Sequence, residues 1–271
     1  MIIFNIILII RLLDCLNRGC VTAYFTEIIC KPIRIARCDV QTCFPVTVVQ
    51  MQFLKVRSIP TLFWSSPKTL TLRPPILSTF MLIFGLSLFG LGEAFLLAAN
   101  SGVSPWTVLA EGLGKHIHVS VGTSTFIISS VVLIFWWPLK QTPGLGTILN
   151  IVIVAFVIDY ALPFLPQFEI WPLQVAEAAF GVLVTGIGGA IYLIANLGPG
   201  PRDGIMTGLQ RVTGYPLALV RNSIELSVVC LGWLLGGTVG LGTLLFAFGI
   251  GPCIAITIRL FALVFPSKSL D

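Results

Sequence analysis

The sequence predicts an all-α membrane protein of about six transmembrane helices, built as two three-helix repeats of inverted topology, each with a short interrupted or interfacial helix. Three observations predict it: the composition, a row of apolar windows, and a gapless internal repeat. Hydrophobic residues fill 56% of the 271 positions and charged residues only 10%, at a mean hydropathy of +0.99. A soluble domain needs roughly a quarter of its residues charged to cover its surface. Most of this chain's surface therefore faces something other than water. The formal charge of +5 is not gathered into a basic stripe with interleaved aromatics, so nucleic acid is not an expected partner. The expected partner is the lipid bilayer, with oligomeric state left open.

Apolar windows lie at Ile76–Ala99, Val119–Leu139, Gly146–Leu162, Leu173–Ala195, Leu217–Leu235 and Leu241–Phe265. Each is long enough to cross about 30 Å of hydrocarbon, the third marginally. They define a membrane domain over 72–265, with repeat one at about 76–165 and repeat two at about 172–265. Residues 1–71 differ. Their apolar runs are short, and five of the seven cysteines fall in the first 43 positions with no CxxC pair. This stretch reads as a poorly ordered or doubtful N-terminal extension, with Met51 as an alternative start and residues 1–50 in question. Metal-ligand spacing is missing, so no metal or cofactor is expected. His116 and His118, two apart, would face different directions on a helix.

The repeat appears when the chain is shifted by 96 residues. Phe84-Gly85 then falls on Phe180-Gly181, Ala99-Asn100 on Ala195-Asn196, Pro105 on Pro201, and Gly144-Leu145-Gly146-Thr147 on Gly240-Leu241-Gly242-Thr243. Three windows per unit would make the second unit enter the membrane in the opposite sense, as in many secondary transporters. The loop charges agree. Lys68, Arg73, Lys140, Arg202, Arg211 and Lys268 fall on one side, which the positive-inside rule makes cytoplasmic together with both termini. The other side holds Lys115 against Glu111 and Glu169.

The segments Asn100–Trp106 and Asn196–Gly204 follow the first helix of each unit and precede stretches too short to span (Thr107–Lys115 and Ile205–Arg211). Glycine lets the backbone bend, and proline suits the first turn of a helix. A helix starting there would aim free N–H groups at whatever fills the bend. A tight interfacial loop followed by a surface helix fits the same residues. Ionisable residues in apolar windows are costly and mark sites by default: Glu93, Asp159, Glu177, Arg221, Glu225 and Arg259. The candidate substrate or ion site comprises Asn196, Gly198, Gly200, Pro201, Arg202, Asp203, Gly204, Arg221 and Glu225, with Glu93, Asn100, Asp159, Glu177 and Arg259 secondary. Arg202, Asp203, Arg221 and Glu225 are expected to cluster on the cytoplasmic side, as a structural salt-bridge knot or as a binding site. Glu93, Asp159 and Glu177 are expected toward the outer side. Trp106, Trp136, Trp137 and Trp171 are expected at helix ends in the headgroup belts.

Gly102–Trp106 with Gly112-Leu113, Leu197–Leu209, and Pro143–Asn150 together resemble the signature segments of the YczE/YitT-like family of uncharacterised bacterial membrane proteins. The resemblance spans about Leu77 to Phe265 and implies a multi-pass protein of the bacterial cytoplasmic membrane. Thr107 stands where the resemblance leads one to expect an acidic residue. No HExxH or GxSxG motif occurs, and no catalytic residue or enzymatic activity is expected. The expected function is a small-molecule transporter or permease-like protein of unknown substrate, the alternative a non-catalytic membrane accessory or scaffold protein.

Overall fold

The computed structural model describes residues 61–67, 69–71 and 73–265, all within the compact unit Leu54–Asp271. The extension expected before residue 61 lies outside the described residues. The regular elements are helices: α1 (Ile76–Ala98), α2 (Pro105–Ile117), α3 (Val121–Ile134), α4 (Leu145–Ala161, continued by a 3-10 turn over Leu162–Phe164), α5 (Trp171–Ala195), α6 (Pro201–Thr213), α7 (Leu217–Leu234) and α8 (Leu241–Val264). Five of them are long and apolar enough to cross a bilayer, and α2 with α3, bent by 110°, is a sixth candidate.

Each repeat thus supplies four helices rather than three windows. Helix starts at Pro105, Val121 and Leu145 recur 96 residues later at Pro201, Leu217 and Leu241. α2 is not a surface helix: Pro105, Trp106, Thr107, Val108 and Ala110 are all buried. Proline opens both α2 and α6, its missing N–H being one that the first turn leaves unbonded anyway. The window Val119–Leu139 yields only the 14-residue α3. Phe135–Lys140 coil into turns, because Pro138 cannot continue a helix and Trp136 turns inward.

Equivalent helices α1 and α5 pack antiparallel along a seam of small residues. Gly85 meets Gly188 and Tyr192, and further along α1 Gly92 meets Gly181 and Thr185; a Cβ on Gly92 would lie 2.2 Å from the Thr185 Oγ1. Small residues let membrane helices approach until their backbones touch. The loops then trade partners. The Gly146 N–H donates to the Leu197 carbonyl at 2.8 Å, and the Gly242 N–H, its equivalent, donates to the Ser101 carbonyl at 2.9 Å. Gly102 (φ 110°) and Gly198 (φ 117°) turn these loops in left-handed backbone that a side chain would strain. Each half therefore seats the start of the other half's last helix.

The halves differ where α3 and α7 meet their neighbours. α3 packs against α4, whereas α7 stands away from α8. Gly232 of α7 lets α2 approach so closely that a Cβ there would lie 2.5 Å from the Leu109 nitrogen. The position equivalent to Gly232 is Trp136, whose ring lies against Gly204 of α6 and props α6 away from α3. Volume traded between two equivalent positions makes one contact tight and the other loose.

Residues 62–66, read as extension, belong to the folded body. Leu62 and Trp64 are buried with Ala190, Ile194 and Ile258. The Ser65 hydroxyl donates to the Ile194 carbonyl, the Ser66 N–H to the Ala195 carbonyl, and Ser78 to the Trp64 carbonyl. These buried polar groups are paired, as burial demands.

Candidate functional site

α2 and α6 begin beside one another in the interior. Trp106 and Arg202 are equivalent by the repeat, and the Arg202 guanidinium lies 5.4 Å from the Trp106 ring centroid, in cation–π range. Residues that the sequence repeat makes equivalent therefore meet in the interior. A cavity of about 680 Å³ opens here, and both halves line it with equivalent positions: Trp106 and Arg202, Thr125 and Arg221, Ser129 and Glu225. At each pair the first half offers a neutral side chain and the second a charged one.

The first turn of each short helix is tied to the preceding long helix. In α2 the Ser104 and Thr107 hydroxyls both donate to the Glu93 Oε2 at 2.7 Å. In α6 the Tyr192 hydroxyl donates to the Asp203 Oδ2 at 2.6 Å. Thr107, the departure from the expected acid, is explained by this arrangement. A carboxylate at 107 would face the Glu93 carboxylate, and a hydroxyl donates to it instead. Glu93 is fully buried, and its Oε1 accepts no hydrogen bond; the Arg202 Nη1 lies 4.0 Å away.

The expected cluster of Arg202, Asp203, Arg221 and Glu225 needs correction. All four line the cavity, but they do not form one knot. Arg221 Nε donates to the Glu225 Oε1 at 2.9 Å within one turn of α7, while Arg202 faces Glu93 and Asp203 is held by Tyr192. Nor does Glu93 sit apart from Arg202. The bent loops carry the starts of α2 and α6 back into the interior, where residues assigned to opposite sides meet.

Other candidates do structural work. Asn196 caps α5 in left-handed backbone, and its amide donates to the Ser66 carbonyl. Gly198 abuts Gly144, and Gly204 abuts Trp136. Gly200 and Pro201 line the cavity, and the Pro201 carbonyl accepts from the Trp136 indole at 3.0 Å. Asn100, equivalent to Asn196, turns its loop at φ 48° and is exposed. Asp159 joins α4 to α3, accepting from the Ser120 hydroxyl at 2.5 Å and the Gly122 N–H at 2.8 Å. Glu177 on α5 is buried with neither carboxylate oxygen hydrogen-bonded. Arg259 lies half-buried on α8. Trp106 and Trp136 belong to the interior rather than a belt, while Trp137 and Trp171 are exposed.

Sequence reasoning missed Tyr192, Asn150 and Glu111. Asn150 and Tyr192 line the cavity. Glu111 accepts from the Thr238 N–H and hydroxyl, both at 2.7 Å, and pairs with Lys115 at 2.8 Å. Asn150 stood in view as the only amide of its apolar window; a tyrosine at a helix end and a loop-side glutamate carried no signal.

Long apolar helices around an interior lined by both repeats define a multi-pass integral membrane protein. The chain belongs to the family of unknown function DUF6198, whose model matches residues 76–259. An uncharacterized protein of Haemophilus influenzae is 38% identical over 208 residues, covering 77% of this chain and 94% of that protein. The uncharacterized membrane protein YczE of Bacillus subtilis is 33% identical over 168 residues, 62% of this chain and 75% of that one. The uncharacterized protein YyaS of the same organism is 26% identical, over 59% of this chain and 82% of its own length. No solved structure matches.

Proposed function

We propose that this protein is a small-molecule transporter or permease-like protein of the bacterial cytoplasmic membrane, with two repeats of inverted topology and both termini in the cytoplasm. The observation that carries the reading is a cavity lined by repeat-equivalent positions of both halves, beside an α7 that stands away from α8 where its equivalent α3 packs on α4. Antiparallel packing of α1 against α5 and the exchange of loop partners support the inverted arrangement. Binding sites at a repeat interface, beside the N-termini of interrupted helices, are the common plan of such transporters.

At the end where α1 finishes, two carboxylates hold the bundle shut. Asp159 ties α3 to α4, and Glu111 ties α2 to Thr238 ahead of α8. The repeat replaces Asp159 by Ala255 and Glu111 by Thr207, so these two carboxylate ties have no counterpart at the opposite end, where α7 begins and α8 finishes. That open end carries Arg73, Arg211 and Arg259, which makes it cytoplasmic under the positive-inside rule. Alternating access then consists of α7 closing on α8 as α3 closes on α4, with release of the Asp159 and Glu111 ties.

The test is substrate-dependent flux in proteoliposomes of the purified protein over a panel of small metabolites. Saturable flux is expected, and binding without any flux would overturn the reading. For the topology, His118→Cys and Thr213→Cys in a cysteine-free chain should react with an impermeant maleimide from opposite faces. Labelling of both from one face would rule the inverted arrangement out.

A further inference from the structure

We infer that the ligand of this cavity is an amino-acid-like zwitterion with an apolar side chain, an inference that rests on the cavity being the binding site proposed above. The donors come first. Among the described residues the Arg202 guanidinium makes no hydrogen bond, and the Glu93 Oε1 lies 4.0 Å from its Nη1. The planar fork is held in place by the Trp106 ring beneath it. Asn150 lines the same cavity: a Cβ on Gly200 would stand 3.5 Å from its amide nitrogen and 3.3 Å from the Asp203 Oδ2, and that amide too bonds to no described residue. An unfilled guanidinium fork matches a carboxylate in shape and in charge.

The carboxylates point to a second charge on the same ligand. In the interior one guanidinium, Arg202, faces both Glu93 and Asp203, while Arg221 is committed to Glu225. Counted as ionised, these five groups carry one negative charge more than positive before any ligand enters. A simple anion would deepen the excess beside the fully buried Glu93, where like charges repel most strongly. A simple cation would relieve it but leave the Arg202 donors unmet. A zwitterion satisfies both, with its carboxylate on Arg202 and Asn150 and its ammonium on the Asp203 Oδ1, the oxygen that Tyr192 leaves free. Part of the remaining wall is apolar, with Phe89, Val154, Ile250 and Ile254, and that stretch fits an aliphatic or aromatic side chain. At about 680 Å³ the cavity is within the usual range for small-molecule sites.

The experiment uses the full chain in lipid nanodiscs and follows its thermal unfolding with alanine, leucine, phenylalanine and tryptophan, and with the N-acetyl and methyl-ester forms of each. At least one free amino acid is expected to raise the melting temperature with saturation, since a ligand that binds only the folded state stabilises it by mass action. Blocking either charge should weaken the apparent affinity roughly tenfold or more, the loss of one charge-assisted hydrogen bond. Arg202→Gln and Asp203→Asn should abolish the response, and Arg202→Lys, which keeps the charge without the fork, should restore part of it. Equal stabilisation by an N-acetyl form would make the ligand a plain anion, equal stabilisation by an ester a plain cation, and no response to any of the panel would exclude apolar amino acids. Each of these outcomes overturns the inference. Binding of a free amino acid without flux in proteoliposomes would keep it and sink the transporter reading. Flux of an unrelated solute with no amino-acid response would do the reverse.

Discussion

In the first half of the molecule a built Cβ on Gly122 would lie 2.2 Å from the Ala155 carbonyl and 2.5 Å from the Asp159 carboxyl carbon. In the second half Gly251, the repeat equivalent of Ala155, has nothing within 4 Å of such a Cβ. The two sites share one pattern of helices and differ in a few side chains: Ser120, Gly122 and Asp159 against Pro216, Ala218 and Ala255. Ser120 and the Gly122 N–H donate to Asp159; Pro216 and Ala255 have no side-chain group to give or accept such a bond, and the methyl of Ala218 stands where Gly122 leaves room for backbone contact. One half thereby shows the closed form of the interface that its equivalent holds open. The asymmetry is written in local chemistry and does not require a different fold.

The largest effect expected from this comparison is a pair of matched substitutions. Gly122→Leu drives a side chain into the α4 backbone and should cost about 3 kcal/mol or prevent folding, as overpacking of a tight contact does. Gly251→Leu should leave the melting temperature in detergent within about 0.5 kcal/mol of the parent, as expected for an open position. In flux assays it should nevertheless stop turnover, because α7 could no longer close. A Gly251→Leu protein that transports normally would break the equivalence of the two interfaces.

The second test removes the tie itself. Asp159→Ala leaves the Ser120 hydroxyl and the Gly122 N–H without their acceptor and should destabilise by about 1–3 kcal/mol. Ala255→Asp with Pro216→Ser and Ala218→Gly places the same groups on the open side. With Gly251→Cys as reporter in a cysteine-free background, the transplanted tie should slow maleimide labelling roughly tenfold, the protection given to a group that must wait for an opening. Labelling as fast as without the transplant would mean that α7 does not close along the path α3 has taken.

Much of this was readable from the sequence. Helix identities and the short helices beginning at Pro105 and Pro201 follow from apolar length and proline position, while the cost of charge in lipid singles out Arg221 and Glu225 and the bend singles out Arg202 and Asp203. Depth was not readable. Glu93 lies near the finishing end of α1, Arg202 just beyond the end of α5, and sequence position alone puts them on opposite sides. Only the backward path of the loops, set by left-handed Asn100, Gly102, Asn196 and Gly198, brings them within 4.0 Å. Pairwise partners were unreadable for a related reason. Tyr192 binds Asp203 across a bend of 11 residues, and no periodic pattern encodes a bend.

The smallest expected effect concerns a matched pair of intrahelical ion pairs among the described residues, one in each half. Glu111–Lys115 and Arg221–Glu225 are both spaced i, i+4, yet their surroundings differ. Glu111 also accepts the Thr238 N–H and hydroxyl, so Glu111→Ala orphans a backbone donor and should cost about 1–3 kcal/mol. Arg221 is 43% exposed and Glu225 21%, with both opening on the cavity. Side chains that can reach water keep most of their solvation, and such a pair contributes about 0.5 kcal/mol. Removing Arg221 therefore strands no buried charge. Arg221→Ala, Glu225→Ala and the double variant should all melt within about 1 kcal/mol of the parent, with a coupling energy near about 0.5 kcal/mol from the cycle. A coupling energy of several kcal/mol would mean that the pair is sealed from water, and hence that the second half closes in the membrane as the first half does.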